Sequence, residues 1–222
     1  MERDVSVLRV FTEIDGSGGN HLGVLLESAD LDDAECQRIA ATLAYSETVF
    51  VDDVATATCR IFTPEIQLPF AGHPMVGTAW LLAQVGAAPA ELRPPAGVVS
   101  CWAEGGDWWV RAQAAWCPDW TLVETGSAAQ IDAAEPPAAK VHEYRWAWTD
   151  RAAGKVRARA FASAFGIVED EATGSAAIRL ASALQVRLAI AQGRGSRLLA
   201  APVGPGEAAV GGAVVLDGHR AV

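Results

Sequence analysis

Arg60-Ile-Phe-Thr-Pro-Glu-Ile-Gln-Leu-Pro-Phe-Ala-Gly-His-Pro74 opens on β-branched and aromatic residues, passes through a proline-punctuated loop and stops at a glycine and a histidine. Residues 76–85 then run apolar and Gly86 closes them. This order predicts a strand, a loop and a helix, with Pro74 suited to a first helical turn and Gly86 to a C-terminal cap. The order returns in the second half as Arg159-Ala-Phe, a loop ending Thr-Gly174-Ser175, and an apolar helix from residue 177 to about 191 followed by Gly193. Two similar halves, each with a glycine-opened helix N-terminus, predict a pseudo-symmetric pair around a shared cleft. Free backbone N–H groups and the positive end of the helix dipole make each terminus a place for a carboxylate or another anion.

Upstream, residues 5–11 and 21–27 read as strands around the glycine loop Asp15-Gly-Ser-Gly-Gly19. Leu31, Ala34, Ile39, Ala40 and Leu43 recur at helical spacing, with Ser28 and Asp30 as candidate caps. Residues 47–51 and 57–62 read as strands with a turn at Asp52-Asp53. The middle, residues 87–150, is poor in periodicity and holds seven of the eight tryptophans, which predicts short strands and an interdomain linker. Pro136-Pro137 marks either that boundary or an exposed loop inside one domain. Gly211-Gly212 and residues 214–216 read as a closing strand.

Composition narrows the function classes. The chain has 222 residues, a net charge of −10 and 51% hydrophobic residues, which rules out a disordered chain and allows one large domain or two small ones. An isoelectric point near 4.8, with no cluster of Lys and Arg beyond the mixed stretch 151–159, argues against nucleic acid. The most apolar stretches, 78–85 and 208–216, are too short to span a membrane, and no charged-then-apolar leader is seen. Cys36, Cys59, Cys101 and Cys117 stand singly, as reduced intracellular thiols do. His21, His73, His142 and His219 form no metal-ligating face, and no phosphate loop, dinucleotide fingerprint or G-x-S-x-G occurs, so neither a metal nor an organic cofactor is expected.

Three acid–base residues remain. Glu47 shares its side of the strand alternation with Tyr45, Val49 and Val51, and burial there would raise its pKa toward a range where one group both takes and gives a proton. The plainer reading is an exposed edge-strand glutamate. His73 at a helix start would bond a substrate or move a proton near neutral pH, or it simply caps the helix. Asp170 lies among three acids, Glu169 to Glu171, whose plainer reading is a solvated turn; Thr173 and Ser175 are natural N-caps. All eight tryptophans read as core or interface anchors.

In order, Phe11-Thr with Gly19-Asn20, Ser46-Glu-Thr-Val-Phe50, the block Arg60 to Pro74, Glu169-Asp-Glu-Ala-Thr-Gly-Ser-Ala176 and Gln192-Gly-Arg-Gly-Ser-Arg197 resemble the PhzF-like isomerase family of phenazine biosynthesis. The resemblance implies a diaminopimelate-epimerase-like α/β (α+β) fold: two pseudo-symmetric lobes, residues 1–100 and 101–222, each a mainly antiparallel sheet wrapped round a central helix. The boundary in that plan is loose and leaves the chain free to cross back between lobes. It implies that Glu47 is the acid/base residue, and that His73, Asp170 and Ser175 join it, with Gly72 and Gly174 letting backbone approach a small anionic or zwitterionic substrate. Such enzymes are cofactor-free, commonly homodimeric and cytoplasmic, and the best-known one isomerises trans-2,3-dihydro-3-hydroxyanthranilate. None of the four cysteines lies beside the helix starts, which disfavours a two-thiol epimerase. Against the family pattern the chain is short in its middle, His21 stands where proline commonly follows the Gly-Asn, and Glu171 replaces a common proline. Two other readings stay open: a non-catalytic small-molecule or protein-binding relative, and an epimerase-type proton transfer on another acid.

Overall fold

The computed structural model describes residues 3–222, the side chain of Phe165 excepted. Its first half runs β1 (Asp4–Thr12), β2 (Asn20–Leu26), α1 (Asp33–Leu43), β3 (Glu47–Asp53), β4 (Thr58–Phe62), β5 (Gln67–Leu68) and α2 (Gly72–Gln84). Three strands follow, β6 (Glu91–Leu92), β7 (Val99–Glu104) and β8 (Asp107–Gln113). The second half runs β9 (Thr121–Glu124), α3 (Ala128–Asp132), β10 (Glu143–Asp150), β11 (Lys155–Ala162), β12 (Ile167–Asp170) and α4 (Gly174–Leu184). It closes with β13 (Leu188–Gln192), β14 (Ser196–Gly204) and β15 (Glu207–Ala221).

The sequence repeat is a structural one. β2 and β3 pair in parallel across the crossover helix α1, β4 returns antiparallel beside β3, and the short β5 pairs β4 before α2 begins. β9 and β10 likewise pair in parallel across α3, β11 returns antiparallel, and β12 pairs β11 before α4. Two neighbouring parallel strands need a crossover between them, which is why each half places a helix there. The remaining pairings are antiparallel except that of β11 with β13, so the sheet is mixed and mainly antiparallel. Pro136-Pro137 falls in the crossover between α3 and β10, a loop joining neighbouring strands of one sheet.

α2 and α4 are the helices that the sheet wraps. α2 is buried almost all round, from Gly72 to Ala79 and at Leu81 and Leu82, and packs on β1, β2, β3, β7, β8 and β15; α4 packs on β14 and β15. A helix apolar on every side belongs in a core. Arg60 on β4 and Arg159 on β11, the paired residues of the repeat, do equivalent work. Arg60 binds Asp52, Asp33 and the Leu31 carbonyl at the start of α1, and Arg159 binds Glu169 and the Ala134 carbonyl just past α3.

Some boundaries differ from the sequence reading. α1 is capped by Asp32, in a reciprocal box with Glu35, so neither Ser28 nor Asp30 is its cap. β3 continues through Asp52 and Asp53, and the turn occupies residues 54–57. The second central helix ends at Leu184, where Gln185 takes a left-handed φ of 55°, and does not reach residue 191. Leu188 to Gln192 is instead β13, whose Leu188, Ile190 and Gln192 are buried between β11 and β14. A short apolar run has no period long enough to separate a buried strand from a helix.

Candidate active site

The N-termini of α2 and α4 touch. A Cβ on Gly72 would lie 2.9 Å from the Gly174 carbonyl carbon, and one on Gly174 would lie 2.6 Å from the His73 nitrogen. The two glycines therefore serve the approach of one helix start to the other, in addition to any approach by a substrate. Neither helix has a side-chain cap, since Ala71 cannot offer one and Thr173 bonds elsewhere. First-turn N–H groups have no helical carbonyl to meet, so two positive helix ends converge with their donors open.

Beside them lies a cleft of about 40 Å³, lined by Glu47, Phe70, Trp120, Asp170, Thr173 and Ser175 among others. That is room for roughly three water molecules. Glu47 enters from the first residue of β3 and is only 14% exposed; its Oε2 is 3.0 Å from His73 Nδ1 on α2. His73 is buried and its Nε2 has no hydrogen-bond partner among the described residues. Asp170, at the end of β12, is buried too. Its Oδ1 accepts from Asn20 Nδ2 at 2.7 Å, and its Oδ2 from the Thr173 hydroxyl at 2.6 Å. Gln192 holds that loop, donating to the Thr173 hydroxyl at 2.8 Å and to the Asp170 carbonyl at 3.0 Å, while its own oxygen accepts from Tyr144.

The two acids are driven apart in protonation. Burial pushes Glu47 up, but the hydrogen bond from His73 and its charge outweigh burial and hold the carboxyl below its usual range. This reverses the sequence expectation of a raised Glu47. Asp170 is the raised group: burial first, then the negative charge of Glu47, lift it to about 7 against the donors from Thr173 and Asn20. Two titratable groups pushed in opposite directions in one site are the usual layout of proton-transfer chemistry.

The structure thus brings Glu47, His73, Asp170, Gly72, Gly174 and Ser175 together. Thr173 holds the N-cap position of α4 but its hydroxyl donates to Asp170 instead of accepting from the helix, and Ser175 is no cap: it sits inside α4 and accepts a hydrogen bond from Trp120 Nε1 at 3.1 Å. Trp120, read from sequence as a core anchor, is also a cleft wall. The solvated-turn reading fails for the flanking acids: Glu169 is paired with Arg159, and Glu171 Oε1 accepts from the backbone N–H groups of Arg194 and Gly195. Asn20 and Gln192 lay inside the motif blocks but carried no signal of their role; Trp120 lay in the unpatterned middle. None of the four free, buried cysteines lines the cleft. Among the described residues no group of three or more His, Cys, Asp and Glu is placed to hold a metal ion.

The fold recurs in known proteins. The sequence profile of phenazine biosynthesis-like proteins, PhzC-PhzF, matches residues 8–107. The chain is 31% identical to the trans-2,3-dihydro-3-hydroxyanthranilate isomerase of Pseudomonas aeruginosa, over 85% of this chain and 87% of that one. Its match to an uncharacterized isomerase of Pasteurella multocida is 46% identical but spans 30% of this chain and a quarter, 25%, of that protein. Among solved structures it superposes on a Bacillus anthracis phenazine biosynthesis protein of the PhzF family with a TM-score of 0.75, at 18% identity and over 100% and 99% of the two chains. A hydroxyproline epimerase from Agrobacterium vitis shares the fold at a TM-score of 0.63, with 11% identity over 100% and 91% of the chains. The fold and these relatives define an isomerase, built on the scaffold that epimerases of this kind also use. Within that class the chain belongs to the phenazine biosynthesis-like PhzC-PhzF family.

Proposed function

We propose that the protein is a cofactor-independent isomerase that shifts a proton between two carbons of a small amino or hydroxy acid, with Glu47 as the general acid/base. The observation that carries this is the pair of buried acids on one small cleft, Glu47 held ionised by His73 and Asp170 raised to about 7, where two open helix N-termini meet. The N–H groups of the first turns, the Ser175 hydroxyl and Asp170 hold a substrate carboxylate and amine. Glu47 removes a proton from one carbon and returns it to another, and a cleft that excludes bulk water keeps that proton from exchanging freely. The name of the Pseudomonas aeruginosa relative supplies the first substrate to try, trans-2,3-dihydro-3-hydroxyanthranilate, and a place in specialised biosynthesis.

The test incubates that compound in heavy water with the protein and with Glu47→Gln, following substrate loss and carbon-bound deuterium by NMR and mass spectrometry. Conversion by the wild type, with a loss of at least about a thousandfold in Glu47→Gln, is the expected result. Conversion that survives the substitution removes Glu47 from the role, and no conversion by either form removes this substrate. The assembly that goes with this reading is a cytoplasmic homodimer, checked by light scattering of the purified protein.

A further inference from the structure

Phe11 lies in the left-handed region, at a φ of 65°, where bulky side chains are seldom found. It is the extra residue of a β-bulge: Val10 faces Val214 and Thr12 faces Ala213 on β15, leaving Phe11 with no residue opposite. In the regular part of β1, Leu8 and Val10 point into the core around α2, while Arg9 points the other way to pair with Asp217. A period of two would place Phe11 on the face of Arg9. The bulge re-aims it. Its ring is wholly buried in the α2 core, with its centroid 6.2 Å from that of the His73 imidazole and the planes at 45°. From β15, Gly212 leaves the space the ring needs, since a Cβ there would lie 2.6 Å from Phe11 Cδ1.

His73 bonds Glu47 through Nδ1, and its buried Nε2 has no hydrogen-bond partner among the described residues. A histidine's orientation is commonly fixed by the bond its second nitrogen makes; here packing has to fix it. We infer that Phe11 is a positioning residue, its ring turned inward by the bulge at residues 10–12 and set against His73 so that Nδ1 stays on the Glu47 carboxylate. The kinetic consequence rests on the proton-transfer role proposed for Glu47, whereas the orientation of the imidazole does not.

The experiment compares wild type with Phe11→Leu, Phe11→Met and Gly212→Ala. The first two remove the ring but keep apolar bulk; the third presses on the ring from β15. Long-range proton–nitrogen spectra resolve the imidazoles, His73 being assigned by its loss in His73→Asn. In every variant that keeps the wild-type amide spectrum elsewhere, the His73 ring-nitrogen shifts move by more than the changed Phe11 ring current accounts for, and those of His21, His142 and His219 stay. With trans-2,3-dihydro-3-hydroxyanthranilate, kcat falls by about tenfold to a hundredfold while KM changes far less, as misorientation of a reacting group predicts. His73 shifts that move no further than the ring current requires in folded Phe11→Leu and Phe11→Met overturn the inference, as does a loss confined to KM. Moved His73 signals in a protein whose wild type does not convert this substrate support the role of Phe11 and count against the reaction alone.

Discussion

Glu47 and Asp170 face the same cleft, and their partners divide the proton unequally between them. His73 favours the ionised form of Glu47, while burial and that nearby charge favour the neutral form of Asp170. A carboxyl with a folded pKa near 7 and an unfolded one near 3.8 binds more protons folded than unfolded between those values, so stability falls as pH rises from about 4 to about 7. Asp170→Asn removes that cost. Thermal melts are expected to show the variant gaining on wild type by up to about 2 kcal/mol at pH 8 and by much less at pH 5, with turnover lost. Equal gains at both pH values would mean that Asp170 keeps an ordinary pKa. Glu47, His73 and Asp170 were legible as site candidates in the sequence chiefly through the resemblance of their motif blocks, since pattern alone left each with a plainer reading. The direction of the Glu47 shift was not, because it depends on a histidine 26 positions away in the chain. The same holds for Trp120, whose bond to Ser175 joins residues with no common pattern.

The decisive contact between elements is the one where α2 and α4 begin. Gly174→Ala puts a methyl 2.6 Å from the His73 backbone nitrogen, which one helix start can relieve only by moving off the other. We expect a loss of about 1 to 3 kcal/mol in denaturant melts, together with most of the activity, because the displaced turn carries the donors of the site. Asp32→Ala is the matching control: it removes the α1 cap, costs about 1 kcal/mol and leaves turnover unchanged, since α1 does not line the cleft. Strands and helices with strong punctuation could be read from the residues alone, as with Pro74 at the start of α2 and Gly86, at φ 86°, beyond its end. The end of α4 could not. Gln185 adopts a left-handed cap that glycine normally marks, and the apolar residues of β13 continue the composition of the helix without a break.

Over the whole molecule, the halves are joined at their chemistry as well as by their sheet. Asn20 from β2 holds Asp170, 150 residues away. The thiols report on the same integrity: Cys36, Cys59, Cys101 and Cys117 are at most 6% exposed, and burial pushes Cys36 up to about 11 and the other three up to about 12. At pH 8 a disulfide reagent is expected to label none of the four in the native protein on the time scale in which it labels all four after unfolding. Rapid labelling of one thiol would reveal a region that opens on its own. The repeat of strand, loop and glycine-opened helix was visible in advance, but the reach of β15 was hidden, because its last residues, 217–220, are polar or glycine and only Gly211-Gly212 and residues 214–216 read as strand. That reach governs how the chain is made. β1 leaves the ribosome long before its antiparallel partner, which runs from Ala213 to Ala221, with Asp4 opposite Ala221. Until then one edge of β1 is bare, and contacts so distant in sequence form slowly. The bulge that turns Phe11 inward is completed by the same residues, so a nascent chain halted before residue 213 holds both acids but not the frame that aims His73. Completion of the site then waits for residues 213–221 to emerge, and shielding that bare edge in the interval is the step at which the enzyme's yield would depend on chaperones.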